Sequence, residues 1–229
     1  MPAVLHSEAW RMRPEEFFQQ AQVRWCSSLH GKMFIREHHY SRTCHNGPMT
    51  VGLTLPSPNG FTRDLIGVCA FATPGSENVR ASVWGPDHKD EVTELHRLVV
   101  LDGTPTNTES WFISRALRLL KERKPHLNGV LTFADSTEGH TGTIYRATNA
   151  LYTGTTKGKA RFWRDPEGRL RHPRQNGVNI TSEAAAERGW TPEMRGSKLR
   201  YLYLLPNDRR HKRDLVNRLR LQVYPYPTI

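Results

Sequence analysis

Nowhere does this 229-residue chain carry the run of roughly 18–20 apolar residues that a membrane-crossing helix needs, so no transmembrane helix is expected. Its first residues, Met1–Trp10, lack the charged start and apolar centre of a signal peptide, and the expected location is the cytoplasm. Cysteine is scarce. Cys26, Cys44 and Cys69 are widely spaced and form no CxxC pair, which argues against a disulfide framework or a cysteine zinc site and for reduced thiols. Internal repeats, low-complexity tracts and long linkers are also missing, so residues 1–229 are expected to form one domain. A hydrophobic content of 37% and six tryptophans argue for a folded chain.

Acidic residues are short in one region only. Residues 1–149 hold 16 Lys+Arg against 15 Asp+Glu, whereas residues 150–229 hold 17 against 7. Nearly all of the net charge of +11 therefore lies in the last third of the chain. There Lys157, Lys159, Arg161, Arg164, Arg169 and Arg171 interleave with Phe162 and Trp163. Asp165-Pro166-Glu167-Gly168 reads as the turn of a hairpin, within a basic insertion over about residues 155–180. A second cluster, Arg209–Arg213, opens a C-terminal helix over about residues 207–222. Clustered cations beside aromatics are the pattern of a phosphate-backbone surface, with Phe162 or Trp163 packing on sugar or base; the plain alternative is a solvated basic face. No segment pairs this charge with a broad apolar face, so a membrane surface is not the expected partner.

Hydrophobic patterning gives the order of elements. A helix is expected over Pro14–Val23, and Phe34–Asn46, with His38-His39-Tyr40, reads as a loop or frayed helix end. Strands are expected at Met49–Leu55, Leu65–Thr73, Glu94–Leu101, Val130–Ala134 and Leu199–Leu205. Helices are expected at Ser110–Lys124, which ends before Pro125, and near Thr143–Asn149. This order predicts an α/β fold, a mixed and mostly antiparallel central sheet flanked by helices, with a basic C-terminal extension.

The most informative segment is Phe133–Gly154, FADSTEGHTGTIYRATNALYTG, which concentrates Asp135, His140, Tyr145 and three glycines. Asp135 falls where a buried strand ends, the end at which open α/β sheets hold their ligands. The competing structural reading makes Asp135 a helix cap and Tyr145 a core aromatic.

The element order is similar to that of the GCN5-related N-acetyltransferases. Their glycine-rich pyrophosphate loop, however, is replaced here by TPTNTES at Thr104–Ser110, which puts acyl-CoA binding in doubt. ELHRLVV, NTESWFISRALRLL and FADSTEGHTGTIYRATNALYTG, with His38-His39-Tyr40 upstream, together resemble the Mom family of phage DNA-modification proteins. The resemblance implies an acetyltransferase-like fold and an enzyme that converts adenine in double-stranded DNA to N6-carbamoylmethyladenine, protecting phage DNA from host restriction. The site would then be a host cytoplasm, and the active site would be drawn from His39, Tyr40, Arg97, Ser110, Asp135 and Tyr145, with Ser114 one turn from Ser110. Two rival readings are an acyl-CoA-dependent N-acyltransferase on a protein or small amine, and a non-catalytic basic DNA-binding protein on a transferase fold.

The chemistry assigns candidate roles. The N6 amine of adenine is a weak nucleophile, so the base must leave the stack and lose an N6 proton to Asp135 or to His39. Tyr40 and Tyr145 can stack on the base or donate a proton. Arg97, costly to bury unpaired, is expected to pair with Glu94 or Asp135 or to bind an anionic group on donor or DNA. His39, Tyr40, Asp135, His140 and Tyr145 are also ligand types for iron, without a metal-site spacing. The donor of the carbamoylmethyl group is not legible, and both a monomer and a dimer remain open.

Overall fold

The computed structural model describes residues 12–156, 160–175 and 178–227. Lys157 and Lys159 lie outside them. The chain runs α1 (Pro14–Gln20), β1 (Gln22–Cys26), α2 (Ser28–His38), β2 (Met49–Pro56), β3 (Arg63–Ala72), α3 (Glu77–Trp84), β4 (Val92–Val100), α4 (Thr108–Arg123) and β5 (Gly129–Asp135). It continues with α5 (Thr143–Ala147), β6 (Leu151–Thr155), β7 (Ala160–Arg164), β8 (Leu170–Arg171), β9 (Arg174–Gln175), β10 (Val178–Asn179), α6 (Ser182–Glu187), β11 (Thr191–Arg195), β12 (Lys198–Leu204) and α7 (Arg209–Asn217).

Seven strands form the main sheet in the order β1-β2-β3-β4-β5-β12-β6, antiparallel throughout except for β4 against β5. The expected mixed, mostly antiparallel sheet flanked by helices is what the chain forms. One face carries α4, whose buried residues Phe112, Ile113, Ala116, Leu117 and Leu120 recur at helical spacing and pack with Leu53, Leu95 and Val130. The opposite face is covered in two places. Phe34 and Ile35 of α2 pack on Val68 and Ala70, while Val83 and Trp84 of α3 and Leu215 of α7 pack on Val92, Leu131 and Leu202. Gly129 makes room for that second cluster, because a Cβ there would meet the Trp84 ring at 2.8 Å.

Two irregularities shape the centre. The parallel pairing of β4 and β5 lasts only from Val92↔Gly129 to Glu94↔Leu131, after which each strand follows its other neighbour and a gap opens. In β4 the register against β3 jumps from Phe71↔Leu95 to Ala70↔Arg97, so His96 is the extra residue of a β-bulge. Leu95 and Leu98 both enter the α4-side core, which leaves His96 and Arg97 together on the opposite face.

Several expectations are corrected. The first helix ends at Gln20, and Val23 belongs to an edge strand. His38 closes a real helix, α2, whose Ser27 cap accepts from the His30 amide at 3.2 Å. Helix α3 and strands β6 and β11 were not expected, and α7 covers Arg209–Asn217 rather than the longer span. The hairpin turn at Asp165–Gly168 does form, with the Gly168 amide donating to the Asp165 carbonyl at 2.8 Å and Trp163 pairing with Arg171 across it. Strand β11 completes a small three-stranded sheet on β7.

Candidate active site

The gap between β4 and β5 opens into a cleft of about 1460 Å³. Its walls come from the loop after α2, the exposed face of β4, the end of β5, the loop into α5, and the small sheet through Phe162 and Leu170–Arg174. A volume above the roughly 300–1,000 Å³ of common small-molecule sites leaves room for two reactants. His39, Tyr40, Arg97, Asp135 and Tyr145, scattered through the sequence, all line this one cleft.

His39 follows directly on the last turn of α2, and its Nδ1 lies 3.1 Å from the Ser41 amide nitrogen and 2.9 Å from the Ser41 hydroxyl. An amide can only donate, so Nδ1 is the acceptor and the neutral ring carries its proton on Nε2. Burial, then the positive field of Arg97 with His96, His140 and Lys198, lowers its pKa to about 3. His39 therefore presents a donor to the cleft. Tyr40, 39% exposed, lies against it with ring centroids 4.2 Å apart and has the His140 ring 5.9 Å away. Burial, reinforced by the Asp135 charge, holds the Tyr40 phenol above its ordinary pKa.

Asp135 is 3% exposed at the end of β5. Its carboxylate takes Arg195 at 2.6 Å, Lys198 at 3.6 Å and the Thr137 amide at 3.1 Å. Burial alone would push its pKa up, but the Arg195 hydrogen bond, the Lys198 and Arg195 charges and the amide outweigh that and hold it below the usual value. Both competing readings of Asp135 thus hold in part: it caps the short turn at Ser136–Glu138, and it also faces the cleft. Arg195, 2% exposed, gathers Glu138 at 2.5 Å and Glu193 at 2.7 Å as well, and so fastens β11 to the main sheet. Its charge is held on firmly, against the cost of burial, by its hydrogen bonds to Asp135, Glu138 and Glu193.

Among the described residues Arg97 forms no salt bridge with Glu94 or Asp135, which leaves the third expected role, that of binding an anionic group. It donates to the Thr43 carbonyl at 3.0 Å, the Thr43 hydroxyl at 3.2 Å and the His96 carbonyl at 2.7 Å. Its direct acceptors are neutral, although it feels the Glu94 charge, and burial lowers its pKa without making it a neutral group. Tyr145 enters from the α4-side core, with its ring 5.2 Å from Tyr201, and burial raises its pKa to about 12. Gly142 brings the loop in, since a Cβ there would meet the Tyr201 ring at 2.4 Å and its φ is +78°.

Other expected residues lie elsewhere. The Ser110 hydroxyl donates to the Asn107 carbonyl at 3.0 Å, and that of Ser114 to the Ser110 carbonyl at 2.9 Å; Glu109 is the α4 residue that lines the cleft. Trp163 is 3% exposed and cannot pack on DNA, whereas its neighbour Phe162 lines the cleft beside His172. Among the described residues no three His, Cys, Asp or Glu side chains are grouped as metal ligands. At the start of α4 the Thr108 amide donates to the Pro105 carbonyl at 3.2 Å. Sequence reasoning missed His96, Arg195 and Lys198. For the last two no local signal exists, since their significance lies in a pairing across 60 residues or more.

The chain matches the Mom protein family over residues 20–228. It is 31% identical over 138 residues to the methylcarbamoylase mom of Escherichia phage Mu, an alignment spanning 60% of this chain and 55% of that protein. The match thus spans about half the length of that relative. Among solved structures, the chain is similar to an N-acetyltransferase from Staphylococcus aureus, at 9% identity and a TM-score of 0.43, covering 80% of this chain and 98% of that one. It is also similar to an acetyltransferase of the GNAT family from Streptococcus pneumoniae, at 9% identity and a TM-score of 0.45, covering 81% and 99%.

Proposed function

Because this chain belongs to the Mom protein family, we propose that it is a phage DNA-modifying transferase that converts adenine in duplex DNA to N6-carbamoylmethyladenine within the cytoplasm of a host cell. The observation that carries this reading is the convergence of His39, Tyr40, Arg97, Asp135 and Tyr145 on one cleft at the β4–β5 gap.

Adenine in a duplex is out of reach, so the base is turned out of the stack into the cleft. Tyr40, exposed beside the His39 and His140 rings, is the surface on which a turned-out base stacks. Arg97, cationic and without a carboxylate partner, takes an anionic group of the donor or a flanking phosphate. His39 donates through Nε2 to a ring nitrogen of the adenine or to a carbonyl of the donor. Asp135, held ionised, accepts a hydrogen bond from the exocyclic amine while its other bonds fix Arg195 and the cleft wall. The lone pair of His39 is already held by Ser41, which leaves this ring a donor and not a proton acceptor. Tyr145 closes the cleft floor.

The deciding experiment is mass spectrometry of nucleosides from bacteria expressing the chain. The expected product is deoxyadenosine heavier by a carbamoylmethyl group, with the DNA resisting restriction enzymes whose sites contain it. Cells that make the folded protein and yet hold only unmodified deoxyadenosine would overturn the assignment.

A further inference from the structure

We propose that His96, oriented by Glu94, is the proton acceptor of the cleft. This rests on the reading of the cleft as an adenine-modifying site, and four observations carry it.

The bulge in β4 comes first. Ordinary alternation would send one of two consecutive residues into the core, but the extra residue puts His96 and Arg97 on the cleft face together. Glu94, two residues before His96, is on that face too.

The tautomer is the second. Glu94 Oε1 lies 3.5 Å from His96 Nδ1, with both side chains largely buried at 17% and 13% exposed. A carboxylate facing Nδ1 draws the ring proton to that nitrogen and leaves Nε2 with its lone pair free. His39 is the reverse case, with its lone pair already committed to Ser41.

Charge is the third. An imidazolium formed at His96 is stabilised by Glu94, as a buried carboxylate stabilises the histidine of a catalytic triad. Around His39 the groups felt are Arg97, His96, His140 and Lys198, all positive or able to become so. Those facing His96 are Glu94, Arg97, His39 and the exposed His45 ring, 4.2 Å away. Burial and Arg97 outweigh Glu94 and lower the His96 pKa to about 4, so the ring is neutral and ready to accept at pH 7.

The fourth is the order of bond changes. The N6 lone pair forms a bond to the methylene carbon of a carbamoylmethyl donor bearing a leaving group, and that group departs with the bonding electron pair. The N6 nitrogen then carries positive charge and is strongly acidic, so an acceptor of low basicity suffices. Its proton passes to His96 Nε2, and afterwards to solvent.

The test joins activity with a spectrum. In purified protein with duplex DNA and a cell extract supplying the donor, His96→Ala should lower modified adenine formation by about 10²–10⁴-fold, without weakening DNA binding. Added imidazole should restore part of the rate, which it would not do for a structural histidine. His96→Gln guards against a folding defect, and Glu94→Gln should give a smaller loss. Wild-type rates in His96→Ala would overturn the proposal. The ¹⁵N spectrum of the wild-type histidines decides separately: His96 should carry its proton on Nδ1 at neutral pH, and a protonated Nε2 would overturn the assignment even if the DNA is modified. Absence of modified adenine in wild type with that expected spectrum would instead remove the adenine reading and leave His96 as acceptor for another amine.

Discussion

The wall hairpin of β7 and β8 and the C-terminal helix α7 hold similar sets of cations in very different company. In the hairpin, Arg164 pairs with Glu193 at 2.6 Å, Arg171 with Asp165 at 2.8 Å, and Arg169 with Asp165 at 2.7 Å and with Glu167. Among the described residues Arg161 forms no salt bridge; it donates to the Ser182 hydroxyl at 3.2 Å and lies 6.0 Å from the Trp163 ring centroid. In α7, Arg209, Arg210, Lys212 and Arg213 are exposed, and among the described residues none of them forms a salt bridge. Leu215 is the buried residue that seats this helix, and Asp208 caps it through the His211 amide at 2.7 Å. A phosphate approaching the hairpin must displace carboxylates, whereas one approaching α7 displaces only water and counterions. Local charge density read from a sequence is therefore not the charge available to a partner.

The largest effect should come from cutting the anchor of the hairpin's wall. Arg195→Met leaves Asp135, Glu138 and Glu193 without their shared cation in a buried setting, and should cost about 3–5 kcal/mol in denaturant unfolding. A loss below about 1 kcal/mol, the scale of an exposed pair, would make the hairpin's ion pairs as superficial as those of a solvated face.

Next is the proposed DNA surface. Replacing Arg209, Arg210, Lys212 and Arg213 with Ala should reduce the slope of log K against log salt for duplex DNA by about 0.9 per lost phosphate contact, up to ~3.6. Anisotropy over a salt series reads this directly, and unfolding should change little. A smaller change is expected from Arg161→Ala with Arg164→Ala, a slope reduction of about 0.9 or less, because Arg164 is held by Glu193. Should this pair move the slope more than the α7 set does, the contrast between the two regions is reversed.

The smallest effect is one of pH. Burial opposes ionisation of Asp165, yet the Arg169 amide, the Arg169 and Arg171 side chains and the Arg171 charge lower its pKa to about 2. A folded pKa below the unfolded one, about 3.9, adds stability that is present above that unfolded value and is lost as pH falls through the folded one. The wild-type chain should thus lose hairpin stability between about pH 4 and pH 2, followed by Trp163 fluorescence, and Asp165→Asn should flatten that portion of the curve.

Strands with long apolar runs, Met49–Leu55 and Val130–Ala134, were readable because a buried strand imposes its own composition. Helix Ser110–Lys124 was readable from its spacing and from Pro125. β1 was not, because QVRWC is a short edge strand whose half-exposed residues alternate weakly. α3 was missed because its stability is tertiary: Trp84 donates its ring N–H to the Leu215 carbonyl, 131 residues away. The cleft was legible where one segment carried several reactive groups, as with Asp135 and Tyr145. Ser110 entered through the family resemblance alone, yet its hydroxyl turns back to Asn107. His96 escaped notice because a bulge, unlike a turn, leaves no mark in composition.

That bulge also makes His96 a spare letter in the text of β4. With it removed, Leu95 would still meet Phe71 and Arg97 would still meet Ala70, and inward and outward residues would alternate without a break, so the neighbouring side chains keep their faces. Removing Leu98 instead, inside regular pairing, would turn Val99 away from the α2 cluster and toward the α4 side. A deletion at His96 should thus leave the sheet standing and take only the imidazole from the cleft, whereas one two residues later should unsettle the core.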